Sequence, residues 1–192
     1  MILLDPDLEP DPAPSMASTE QTAALGTAVA PSSLRLPSAR TLARFLSQAQ
    51  AAVRLRGEVT VLLTTDAVIR KLNRRFRGKN TATDVLSFPA DGIGAETIAG
   101  DLAISVPTAL KQAVEQKHSL STEIKVLILH GLLHLAGHDH EVDEGKMARR
   151  ERLLRTRLGL PHGLIERAQD RVAQVSHLRP GKPRTRKWGT KP

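Results

Sequence analysis

From Ile124 to Ala136 the chain is apolar on nearly every side of a helical wheel, yet the run contains two histidines, His130 and His134, four residues apart. A helix that is hydrophobic all round has to be surrounded by the rest of its fold. At thirteen residues it falls short of the roughly 20 that a membrane span requires, so it is expected to be the central helix of a globular domain. Ser121 supplies its opening signal and Gly137 its stop.

The flanking segments provide the layers around it. After Pro37, the residues Leu42, Phe45, Leu46, Ala49 and Val53 recur at helical spacing behind Ser38 as cap. Glu58 to Thr65 sets Val59, Val61 and Leu63 against Thr60, Leu62 and Thr64, a strand that ends at Asp66. Asp66 is placed to cap a helix whose face is Ile69, Leu72 and Phe76 and whose stop is Gly78. Thr83 to Phe88 and Asp101 to Val106 read as two strands, and Pro107 to Gln116 as a helix with Pro in its first turn. Asp143 to Leu158 adds a helix with Met147, Leu154 and Leu158 inward, and Leu164 to Val175 a weaker one. Residues 1–5 are a candidate first strand. The expectation is an α+β fold, a small mixed β-sheet flanked by five or six helices.

The 192 residues suit one domain with appendages. Residues 6–33, rich in Pro, Ala, Ser and acids, read as a flexible acidic linker, residues 34–175 as a single domain, and residues 176–192 as a basic disordered tail. A formal charge of +8 points to polyanionic partners. Residues 1–30 carry five acids and no Lys or Arg, and residues 178–192 carry six basic residues and no acid, so the body itself remains basic. No basic leader and no spanning segment are present, so the expected location is the cytoplasm, with no membrane partner. Of the aromatics, Phe45, Phe76 and Phe88 fall inside patterned elements and are expected to be packing residues, which leaves only Trp188 to stack on a base.

The absence of Cys excludes disulfides, thiol nucleophiles and thiolate metal sites, so any metal must use His, Asp or Glu. Four of the seven histidines lie in His130-Gly-Leu-Leu-His134-Leu-Ala-Gly137-His138-Asp139-His140. Positions i and i+4 share a helix face, so His130 and His134 project in parallel. Gly137 can take the left-handed conformation that turns the chain back and brings His140 to them from a third direction. Three imidazoles with one open position form the catalytic type of zinc site, one Zn2+ per chain, in which a bound water reaches a pKa of about 7. His138 is available as a substitute ligand, and Asp139 as an acceptor that orients an imidazole.

This zincin-like helix matches the metzincin spacing H-x-x-x-H-x-x-G-x-x-H, but Gly131 stands where those peptidases carry their glutamate base. Gly78-Lys79 lacks the rest of a phosphate loop, and no G-x-S-x-G elbow exists.

The segment HGLLHLAGHDH resembles the signature H-G-x-L-H-L-x-G-[YH]-D-H of the YbeY family of bacterial rRNA maturation endoribonucleases. A second block, Leu72 to Pro89, is similar to that family's N-x-x-[YF]-R-x-x-D-x-P-T-D-V-L-S-F-P, with Asn80 and Ala82 in place of the usual acid and proline. A third, Gly100 to Ser105, matches G-D-I-x-I-S, and the resemblance extends from about Ser38 to Leu160. It implies a zinc held by His130, His134 and His140, and catalytic roles for His130 and for Arg77 beside the metal. It further implies single-strand-specific endoribonuclease activity in maturation of the 16S rRNA 3′ end and in ribosome quality control, with single-stranded RNA or rRNA and the small ribosomal subunit or its proteins as partners. Physics agrees on Arg77, because a guanidinium can hold two phosphate oxygens at once as charge builds on them. Asp84 is a further candidate beside the site. The alternatives are a zinc peptidase and a ribosome-assembly factor whose metal is structural.

Overall fold

A four-stranded mixed sheet sets the layout, and β1, Ile2–Leu4, is its first strand. The computed structural model describes residues 1–8, 35–90, 97–139 and 143–161. After β1 come α1 (Ala39–Val53), β2 (Glu58–Thr64), α2 (Asp66–Arg77), β3 (Val85–Pro89) and β4 (Ile98–Ser105). Helices α3 (Val106–Glu115), α4 (Leu120–Leu135) and α5 (Lys146–Arg157) follow. The spatial order is β1-β2-β4-β3, with β1, β2 and β4 parallel and β3 antiparallel to β4 at one edge. The α+β expectation holds, with five α-helices among the described residues.

Alternation along β4 decides which helix covers which face, because neighbouring side chains point to opposite sides. Ala103 packs with Ile69 of α2 and Leu86 of β3, and Leu72 and Phe88 lean on this cluster. Its neighbour Leu102 meets α4 instead, since a Cβ placed on Gly131 would lie 2.6 Å from Leu102 Cδ2. Helices α2 and α4 therefore flank the sheet from opposite sides. Helix α4 also touches α1, α3 and α5, and Ile124, Val126, Leu127, Ile128, Leu129, Leu132 and Leu133 are all fully buried. That burial is what the all-round apolar run demanded.

Several boundaries differ from the expectation, each for a local reason. Thr65, not Asp66, caps α2, with Oγ1 accepting from the Val68 N–H. The Asp66 carboxylate instead accepts from Ser105 Oγ and from Thr108 Oγ1, tying α2 to the start of α3. Helix α4 opens behind Ser119, whose Oγ accepts from Thr122 N–H at 3.1 Å, so Ser121 lies inside it. Helix α5 starts at Lys146 and not at Asp143, because Glu144 and Gly145 take left-handed φ values of 54° and 80°. Asp143 receives N–H groups from Gly145 and Met147 just before the helix.

At the N-terminus, β1 stands where residues 1–5 were expected to, in register with Val61 to Leu63 of β2. Residues 6–8 depart from the linker reading. Pro6–Leu8 form a 3-10 turn, fastened by Leu8 N–H to Asp5 O and by Thr64 Oγ1 to the Asp5 carboxylate. The rest of the linker, the expected helix from Leu164 to Val175 and the basic tail with Trp188 lie outside the described residues.

Phe76 also departs from its reading. It follows Leu72 by one turn, but it reaches past the apolar cluster of Ile69, Leu86 and Ala103 and is 58% exposed.

Candidate metal and catalytic site

The helical period places His130 and His134 on one side of α4, and there their Nε2 atoms stand 3.1 Å apart. Two nitrogens on a tetrahedral zinc, at about 2.0–2.1 Å each, are separated by about 3.3–3.4 Å. The pair therefore fits two adjacent vertices of such a site with little adjustment. One cation bound between them would be a partner shared by both rings.

Behind His130 sits a group that sequence reasoning missed. His130 Nδ1 is 3.2 Å from Glu151 Oε2 of α5. The other carboxylate oxygen, Oε1, accepts from Arg155 Nε at 2.7 Å and from Arg155 Nη2. Arg155 in turn donates to Pro161 O at 2.9 Å. Burial pushes the Glu151 carboxyl up, but its hydrogen bond and charge interaction with His130, joined by those with Arg155, more than offset this and hold it below the usual carboxylate range. With Nδ1 turned to the Glu151 carboxylate, Nε2 is the ring nitrogen that His130 directs at His134. A sequence signal was present. Met147, Glu151, Leu154 and Arg155 fall at i, i+4, i+7 and i+8, so two charged residues occupy positions of the apolar stripe.

Past α4, Gly137 adopts φ +83°, as expected. Its N–H donates to His134 O and the His138 N–H to Leu133 O, each at 3.0 Å, closing the helix and reversing the chain. No side chain crowds Gly137, so its requirement is the conformation alone. The turn returns His138, half-buried, and Asp139, exposed, to the wall of the cleft that holds His130 and His134. Among the described residues no third His, Asp or Glu joins the pair as a metal-holding group. His140 lies outside the described residues.

The cleft has a volume of about 790 Å³, and its opposite wall comes from the end of α2, the loop after it, and β3. Arg77 and Lys79 bring positive charge to it, and Gly78, at φ +68°, is the left-handed terminator between them. Asn73, nearly fully buried, donates from Nδ2 to Thr81 O at 2.7 Å and so pins the loop that carries Lys79. Asp84 also reaches the cleft wall. Its carboxylate accepts from Thr83 Oγ1, the Val85 N–H and Gln112 Nε2, at 3.1, 2.8 and 2.9 Å. Thus the fold brings Arg77, Asp84, His130, His134, His138 and Asp139 together in one cleft.

Gly131, the position of the peptidase glutamate, faces away from this cleft. A Cβ there would run into Leu102 of β4 at 2.6 Å, so α4 has no room for a carboxylate at that position.

A family model described as Endoribonuclease YbeY matches residues 31–159. The Endoribonuclease YbeY of Solibacter usitatus (strain Ellin6076) is 51% identical over 140 residues, covering 73% of this chain and 90% of its own length. That of Koribacter versatilis (strain Ellin345) is 54% identical over 130 residues, covering 68% and 84%. A solution structure of a Thermotoga maritima protein is 24% identical, with a TM-score of 0.44, over 80% of this chain and 97% of its own. With the family's residues matched over most of the chain and its histidine pair converging in an open cationic cleft, this chain belongs to the YbeY endoribonuclease family.

Proposed function

We propose that the chain is a zinc-dependent endoribonuclease specific for single-stranded RNA, acting in maturation of the 16S rRNA 3′ end and in ribosome quality control. One ion per chain is held by His130, His134 and His140. The observation that carries this reading is the 3.1 Å approach of the two Nε2 atoms in a cleft whose other wall presents Arg77 and Lys79. When bound, zinc supplies Lewis acidity that activates the attacking oxygen, from water or from a ribose 2′-OH.

The protein's own groups do the rest. Glu151 keeps the His130 ring oriented, with its proton on Nδ1. The planar Arg77 fork holds two non-bridging oxygens of the phosphate while negative charge grows on them, and Lys79 adds a point charge. Asp84, engaged by three donors, anchors the start of β3 beside the cleft. Residues 34–175 are assigned as the catalytic domain, acting in the cytoplasm. The six basic residues of 178–192 add affinity for phosphates without choosing a site, and a small-subunit partner supplies the position of cleavage.

The test follows cleavage of a short single-stranded RNA and of its duplex by zinc-loaded protein, beside His134→Ala and Arg77→Ala proteins purified identically. Cutting of the single strand alone, absent from both variants, is expected. Equal cutting by all three, or by none, overturns the nuclease assignment for the isolated chain and leaves the ribosome-assembly factor with a structural metal in its place.

A further inference from the structure

Beside Arg77 and Lys79, the end of helix α2 presents further surface that the cleft chemistry does not use. Between Asp66 and Asp84 the chain carries Arg70, Lys71, Arg74, Arg75, Arg77 and Lys79 and no acid. In the middle of these cations stands Phe76, 58% exposed. Its ring centroid lies 5.1 Å from that of Phe88 in an edge-to-face arrangement with an interplanar angle of 66°. The Arg75 guanidinium lies over the ring at 5.4 Å. Phe88 leans on the buried cluster below and so braces the Phe76 ring, which keeps more than half of its residue surface open to solvent.

The place of this ring in the fold gives it meaning. Phe76 directly precedes Arg77, and Phe88 stands between Ser87 and Pro89, all three of which line the cleft. Because β3 is an edge strand and side chains alternate along it, the Phe76–Phe88 pair lies just across that edge from the cleft. A strand of nucleic acid leaving the cleft past Arg77 meets Phe76 next. An exposed aromatic ring among cations, with no acid nearby in the chain, is the combination used to hold single strands, the cations tracking phosphates and the ring taking a base. Arg75 extends the platform, since a guanidinium plane itself stacks on rings and bases.

We propose that Phe76, backed by Phe88 and overlaid by Arg75, is a stacking platform for a nucleobase flanking the phosphate engaged by Arg77. This rests on the reading of single-stranded RNA as substrate and adds to it a reason for the single-strand preference, since a base paired in a duplex has no free face to offer. Phe76 thus corrects the expectation that only Trp188 is free to stack.

The test measures binding of a fluorescently labelled single-stranded RNA to the full chain in chelator, where nothing is cleaved. Wild type is compared with Phe76→Ala, Phe76→Leu and Phe76→Tyr, across a range of salt. Phe76→Ala is expected to bind roughly 5- to 150-fold more weakly, the range of one base–aromatic stack, with an unchanged slope of log affinity against log salt because no phosphate contact is lost. Phe76→Tyr is expected to stay within about threefold of wild type, and Phe76→Leu to resemble Phe76→Ala. In an RNA series with one abasic position each, a single position should erase the difference between wild type and Phe76→Ala.

Wild-type affinity in Phe76→Ala, or full rescue by Phe76→Leu, overturns the platform while leaving the nuclease reading intact. Unchanged RNA affinity in Phe76→Ala together with lost binding to purified small-subunit proteins assigns the ring to a protein partner and likewise overturns it. Failure of wild type itself to bind RNA overturns both readings.

Discussion

Replacing Glu151 by Gln isolates what the buried carboxylate does for His130. Arg155 offers only donors and is 1% exposed, so the new amide must keep its oxygen on the guanidinium and aim its NH2 at His130 Nδ1. Two donors then face each other unless His130 takes the tautomer with its proton on Nε2. That tautomer removes the lone pair from the atom 3.1 Å from His134 Nε2. Loss of the partner that orients a metal-bound histidine costs typically 10- to 100-fold in metal affinity, about 1.4–2.7 kcal/mol. Competition with a chromophoric chelator, on full-length protein shown by circular dichroism to be folded, measures zinc affinity directly. Zinc affinity in Glu151→Gln within about twofold of wild type would refute the reasoning and reduce Glu151 to a counter-ion for Arg155.

Other outcomes follow from the same geometry. Gly131→Ala should lower stability by about 1–3 kcal/mol in urea unfolding, because the added methyl meets the buried Leu102 in a closely packed layer; a more stable variant would contradict the packing of α4 on β4. Arg77→Ala should reduce kcat for RNA cleavage by about 10²- to 10³-fold, with Arg77→Lys intermediate, since an ammonium replaces the charge without the fork. The Asp5 carboxyl is held below its ordinary value of 3.8, first by the Thr64 hydroxyl and then by the Asp7 N–H. Its folded pKa is depressed, so its contribution to stability is complete above about pH 4 and disappears as the pH falls through the lower folded value. The stability difference between wild type and Asp5→Asn should therefore shrink steadily below pH 4 in acid-unfolding curves; a difference that grows there would reverse the sign.

The sequence carried the central features wherever one local rule decided them. The all-round apolar run had to be the central helix, i and i+4 spacing had to align His130 with His134, and Gly137 had to turn the chain. The partners of these groups were illegible because they depend on which elements meet. Glu151 and Arg155 stand in the apolar stripe of α5, which marks them as inward-facing, but the spacing does not say that they meet His130 until α5 is laid against α4. Phe76 satisfies the spacing of an apolar face, yet α2 extends past the cluster beneath it and leaves the ring outside. Asp84 looked like a group beside the metal, and the fold puts three donors on its carboxylate, two from its chain neighbours Thr83 and Val85 and one from Gln112 of α3.

The most direct measurement titrates zinc into metal-free, full-length protein and follows bound metal and cleavage of a single-stranded RNA in the same samples. The account predicts that both rise together and saturate at one equivalent per chain, and that His134→Ala shows neither. Full cleavage before any zinc is added, or one tightly bound equivalent that brings no cleavage, would contradict it.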